Sequence, residues 1–133
     1  MNPVRELLRS GKTVVGTAGS VVGDMAMLAD TGFDFLLFDT QHTPVEIKQL
    51  NPAILATKGK KAKSIVRVSG NKPDLICFAL DAGAMGIIVP MVNTKEEAEA
   101  MVRACKYSPD GDRSHSGPRG EFGEAADYRS YLD

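Results

Sequence analysis

Phe33-Asp34-Phe35-Leu36-Leu37-Phe38-Asp39-Thr40-Gln41-His42 decides the reading of this chain. Its apolar run, Phe35 to Phe38, lies between Gly32 and Pro44 and has the composition of a strand buried on both faces. Where the run stops, a carboxylate (Asp39) and an imidazole (His42) follow. In parallel α/β folds, ligands bind beyond the carboxyl ends of the strands. An Asp-x-x-His pair there can hold one imidazole tautomer and keep the ring basic, as a proton-abstracting group requires. The same two residues would also serve as a helix-capping Asp and a solvated loop His.

Outward from this segment the pattern repeats. Thr13 to Ala18, Ser64 to Val68 and Gly86 to Pro90 read as three further strands. Asn2-Pro3 starts a short helix that Gly11 ends, with Asn as cap and Pro in the first turn. Val21 to Asp30 reads as the next helix. Pro44 opens another, in which Pro52 predicts a kink or a division into two short helices. Pro73 begins a helix with Leu75, Phe78, Ala79 and Ala82 as its apolar stripe. Thr94 to Glu97 is a capping box, and Ala98, Met101, Val102 and Cys105 are the stripe of the helix it starts. Lys58 to Lys63 is a basic, solvated turn. Residues 107–120, rich in Gly, Pro and charge, form a long loop, and one more short helix is expected from Glu121. The expectation is therefore a single α/β domain over residues 1–133: about four βα units preceded by a short helix, the N-terminal half of a TIM (β/α)8 barrel. A small open doubly wound sheet would share the pattern, but no Gly-x-Gly-x-x-Gly follows the first strand.

Composition narrows the function classes. Of 133 residues, 43% are hydrophobic and 25% charged, ordinary globular usage. Sixteen Lys and Arg against 17 Asp and Glu give no nucleic-acid-binding surface. No apolar stretch approaches the length of a membrane span, and the N-terminus lacks the apolar core of a signal peptide. Cys77 and Cys105 lie in helical patterns without metal-ligand spacing, so they read as buried thiols of a cytoplasmic protein. The Met residues read as core filler.

Arg67 interrupts the otherwise apolar Ser64-Ile-Val-Arg-Val68. A guanidinium there calls for an anion, and a substrate carboxylate could supply it in a two-pronged contact. The alternative is an acidic neighbour such as Asp39. Pro90 closes the fourth strand and would shape the rim of a substrate pocket. His115, with Arg113 and Arg119 nearby, would meet a phosphate or carboxylate, or simply solvent.

Taken together, GFDFLLFDTQH and IVRVSGNKPDLICFALDAGAMGIIVPMVNTKEEAEAMVRACKYSPDGDRS resemble the pyruvate-dependent class II aldolases. That family is typified by 2-keto-3-deoxy-glucarate and 4-hydroxy-2-oxoheptanedioate aldolases. The resemblance runs from about Asn2 to Tyr131. It implies reversible cleavage of a 2-keto-4-hydroxy acid to pyruvate and an aldehyde, in a homo-oligomer. His42 matches the base acting on the aldol hydroxyl, and Arg67 matches the arginine that holds the pyruvate carboxylate. Asp81 matches the acid that raises the basicity of the histidine. Asp81 precedes the fourth strand, which in a plain barrel is the end away from the site, so Asp39 stands beside it as a candidate.

Two departures stand out. Gln41 replaces the family's Glu before the histidine. The divalent metal implied by the resemblance (Mg, Mn or Co) is held in the family by a Glu and an Asp from later strands, expected beyond residue 133. Family members are about double this length, so the chain is expected to be the front half of one. A non-catalytic half-barrel that functions only by assembly is the competing expectation. Decarboxylation of oxaloacetate, which passes through the same enolate, is also left open.

Overall fold

The computed structural model describes residues 2–114. His115, Arg119 and the helix expected from Glu121 lie outside them. Helices and strands alternate along the chain: α1 (Pro3–Arg9), β1 (Gly16–Ala18), α2 (Met25–Leu28), β2 (Phe35–Asp39), α3 (Ile47–Ala56), β3 (Lys63–Arg67), α4 (Pro73–Asp81), β4 (Gly86–Ile88) and α5 (Lys95–Cys105). The four strands form one parallel sheet in the order β1-β2-β3-β4. Four consecutive βα units with strands in sequence order are the first half of a (β/α)8 barrel. No described helix is long and apolar enough to cross a membrane.

Local chemistry sets the helix starts. The Asn2 side chain accepts from the Arg5 amide and Pro3 fills the first helical position. The Asn2 amide nitrogen also donates to the Met85 carbonyl, fastening α1 beneath β4. Thr94 and Glu97 form the expected reciprocal box on α5. α3 starts at Ile47, later than Pro44, with the Gln49 side chain accepting from the Glu46 amide. It runs through Pro52 as a single helix, so of the expected kink or division the division is absent. One amide is lost there, but the buried side of α3 (Ile47, Leu50, Ala53, Ile54) spans both sides of the proline and holds it together. α2 is much shorter than expected, because Gly23 adopts a left-handed conformation and Asp24 caps the helix only afterwards.

The strands depart from the expectation of burial on both faces. Leu36 and Phe38 of β2, and Ser64 and Val66 of β3, are buried against α3 and α4. The alternating residues are only half-buried. Register lines these up as rows across the other face: Gly16, Phe35 and Lys63; then Ala18, Leu37, Ile65 and Gly86; then Asp39, Arg67 and Ile88. That face would line the lumen of a closed barrel, and four strands cannot close one. The helix stripes are also offset. On α4, Ile76 and Ala79 are buried while Phe78 is 59% exposed, and on α5 the buried residue is Ala104 while Val102 faces out. Contact between α4 and α5 turns both helices from the simplest sheet-facing orientation. Both cysteines are half-buried rather than buried, and burial pushes the Cys105 thiol above its ordinary pKa.

Candidate functional site

Register places Asp39 directly beside Arg67, each the last residue of its strand and both on the lumen face. They form a two-pronged ion pair. Arg67 Nε donates to Asp39 Oδ1 at 2.9 Å, and Nη2 donates to Oδ2 at 2.6 Å. The Gln41 amide donates to Oδ1 as well, at 2.9 Å. The guanidinium hydrogen bonds, aided by backbone amides that include His42, hold the Asp39 carboxyl at about 2 against an ordinary 3.8. Asp39 reciprocally raises Arg67. Below the pair, the buried Thr40 donates its hydroxyl and its amide to the Arg67 carbonyl, both at 2.9 Å. Thr43 donates to the Asp39 carbonyl. These two threonines, unremarked in the sequence reading, fix the turn that carries His42.

The expected Asp39–His42 contact is not formed. Arg67 engages both carboxylate oxygens, and the carboxylate meets the His42 backbone amide rather than its ring. His42 stands exposed on the turn after β2, and among the described residues its imidazole makes no hydrogen bond. Pro90 lies two residues past β4, at the same end of the sheet. Asp81 is elsewhere: it ends α4, where Arg113 Nη2 donates to its Oδ1 at 2.9 Å and Cys77 Sγ lies 3.8 Å from Oδ2. A groove of about 880 Å³ between α3 and α4 nevertheless joins the two regions, since Thr40 and Thr43 line it together with Leu75, Phe78 and Asp81. The structure therefore brings Asp39 and Arg67 together, keeps His42 and Pro90 at their end, and sets Asp81 in a groove below the histidine turn.

Arg67 has five N–H donors, of which two serve Asp39. The remaining donors can take an incoming carboxylate in the plane of the guanidinium. Among the described residues no group of three or more His, Cys, Asp or Glu could hold a metal ion. Asp39, the carboxylate of the upper lumen row, is already committed to Arg67. The described residues thus supply no ligand set for the implied divalent ion.

The fold and the site together define an α/β chain of the barrel type, with an Asp39–Arg67 pair at the carboxyl end of its parallel sheet. The chain belongs to the HpcH/HpaI aldolase/citrate lyase family, whose model matches residues 16–126. It is 34% identical to a hydroxypyruvate/pyruvate aldolase of Roseobacter denitrificans, over 100% of this chain and 54% of that protein. A 5-keto-4-deoxy-D-glucarate aldolase of Escherichia coli is 40% identical over 77% of this chain and 41% of its own length. Among solved structures, an HpcH/HpaI aldolase/citrate lyase family protein of Burkholderia cenocepacia superposes with a TM-score of 0.80 at 29% identity, covering 99% of this chain and 55% of that one. The chain spans about half the length of the relatives it matches.

Proposed function

We propose that this chain carries the pyruvate-gripping half of a carbon–carbon lyase that cleaves 2-keto-4-hydroxy acids to pyruvate and an aldehyde. The observation that carries this reading is the Asp39–Arg67 fork in the upper lumen row, which aims a pre-oriented guanidinium at the ligand end of the sheet. Arg67 would hold the substrate carboxylate with its remaining donors. His42 would take the proton from the C4 hydroxyl as the C3–C4 bond breaks. The bonding pair then passes to C3 as an enolate while C4 becomes the aldehyde carbonyl, and protonation at C3 releases pyruvate. Asp39 acts by orienting Arg67. Asp81 would tune the histidine from the groove below its turn. A divalent ion would stabilise the enolate when bound, but no ligand set for it lies among the described residues.

The test is pyruvate release from a series of 2-keto-4-hydroxy acids by the native protein with added divalent metal, alongside thermal melting with and without oxalate. Release abolished in His42→Ala, and oxalate protection present in wild type but absent in Arg67→Ala, are expected. No release from any substrate, or equal oxalate protection of wild type and Arg67→Ala, would sink the reading.

One observation favours a second reading, an assembly module. Phe35, Leu37 and Ile65 are only half-covered on the lumen face, and β1 and β4 each pair along one side. Light scattering decides it: a cooperatively melting monomer of the isolated chain excludes a half-barrel that depends on a partner.

A further inference from the structure

The loop after α5 contains a buried cation that the proposed chemistry leaves unused. Residues 107–114 carry no helix or strand, yet two successive residues clamp them onto the helices. Asp112 accepts from Arg103 Nε at 2.9 Å and from Nη2 at 2.6 Å, an exposed pair on α5. Arg113 turns the other way. Its side chain is only 7% exposed, its Nη2 reaches Asp81 on α4, and its guanidinium lies 4.8 Å from the Tyr107 ring centre. The Arg113 amide donates to the Lys106 carbonyl, and the Gly111 and Asp112 amides to Tyr107 and Arg103. The guanidinium is thus fixed by its own backbone, an aromatic face and one carboxylate.

This arrangement differs from an ordinary surface ion pair. Burying an arginine is costly, and the partner carboxylate is normally what offsets that cost. Here the partner is Asp81, which also lines the groove shared with Thr40 and Thr43, the residues that fasten the His42 turn. Asp81 sits on the final turn of its helix, with Cys77 Sγ 3.8 Å from Oδ2 on the same helix and Arg113 Nη2 on Oδ1. Arg113 thus fixes one carboxylate oxygen from outside the groove.

We propose that Arg113 is a positioning residue for the lyase reaction: it holds the Asp81 carboxylate in the groove beneath the His42 turn. The proposal rests on the reading that Asp81 takes part in the reaction. Its consequence is that residues 107–114, on the segment after α5, influence the turnover rate.

The experiment measures kcat and KM for pyruvate release, and Tm, in the native protein. The variants are Asp81→Asn, Arg113→Met, Arg113→Lys, the Asp81→Asn/Arg113→Met double, and Asp112→Asn as a control on the same loop. Arg113→Met should lower kcat on the order of tenfold or more, the range for removing a residue that orients a functional group, with KM within about twofold because Arg67 is untouched. The double variant should be no slower than Asp81→Asn alone. Arg113→Lys should recover part of kcat, and Asp112→Asn should leave kcat unchanged. If Arg113→Met does not fold, Arg113→Lys carries the comparison, since it keeps the charge and loses the planar fork. The proposal is overturned if Asp81→Asn is slow while the Arg113 variants, assayed well below their Tm, turn over like wild type. Additive losses in the double, or a kcat loss in Asp112→Asn equal to that in Arg113→Met, overturn it as well. Wild-type turnover in Asp81→Asn would instead remove the underlying reading of Asp81.

Discussion

Asp39→Asn isolates the charge of the central pair. Asparagine keeps the shape and can still accept from the Gln41 amide through its oxygen, but it offers Arg67 no negative charge. In the folded chain Asp39 sits at about 2 instead of 3.8. At about 1.4 kcal/mol per unit, that shift corresponds to about 2 kcal/mol before solvent screening. The two side chains are 18% and 32% exposed, so water reaches the pair and about 1 kcal/mol is the working figure. Because the folded-state value is depressed, the stabilisation is complete above the unfolded value of 3.8 and disappears as the pH falls through about 2. Urea unfolding of wild type and Asp39→Asn at pH 7, 5, 4 and 3 reads this directly. A gap of about 1 kcal/mol is expected at pH 7 and 5, narrowing below pH 4; at neutral pH it corresponds to a Tm lower by about 2–5 °C. A gap that stays constant from pH 7 to pH 3, or no gap at pH 7, would refute the assignment of the shift to the Arg67 fork.

Three further outcomes are expected. A Cβ on Gly16 would fall inside the Phe35 ring, which lies across β1 on the lumen face, so Gly16→Ala should cost about 1–3 kcal/mol by overpacking, measured by urea unfolding. A Cβ on Gly111 would overlap the carbonyl oxygens of Arg103 and Lys106, and backbone cannot retreat as a side chain can. Gly111→Ala should therefore detach the loop, and faster amide exchange at Asp112 and Arg113 would report it. Thr94→Ala removes the acceptor for the Glu97 amide and should cost about 1 kcal/mol in the same unfolding assay.

The parts of the fold legible in the sequence were those written locally. Phe35 to Phe38, bounded by Gly32 and Pro44, announced a strand, and Asn2-Pro3 and the Thr94 box announced helix starts, because caps and apolar runs are decided by neighbouring residues. Element lengths were less legible. Thr13 to Val15 and Val89-Pro90 have strand composition but fall outside the paired ladders, although the Val15 carbonyl still accepts from the Asp34 amide. The stripes of α4 and α5 slipped because the helices pack on each other as well as on the sheet, and a sequence window carries no record of that second surface. In the site, Arg67 as an anion holder was visible as a charge inside an apolar strand. Its pairing with Asp39, weighed as an alternative, depends on a register that joins residues 28 apart. The Asp81–Arg113 contact spans 32 residues and gave no local signal in the sequence.

Charge balance shows what else the site requires. Asp39 and Arg67 cancel, so the upper lumen row is neutral before any ligand arrives. A bound pyruvate carboxylate makes it singly negative, and an enolate oxygen would add a second negative charge in a partly desolvated lumen. A proton on His42 offsets one of these at most. Lys63 is the other cation on this face, but it lies in the row with Phe35 and Gly16, two rows below, and its ammonium is bonded to the Lys60 carbonyl. On the proposed reading, a compensating positive charge would come from outside the described residues. The number of charges on the ligand should expose this. Without added divalent ions, the native protein should bind pyruvate, a monoanion, at least as tightly as oxalate, a dianion, and both through Arg67. With divalent ions present, oxalate should gain the more. Competition binding at fixed ionic strength measures the order, and the ionic strength must be held because surface attraction is screened by salt. Oxalate binding more tightly than pyruvate in a metal-chelated sample would mean that the missing positive charge already resides in this half of the site.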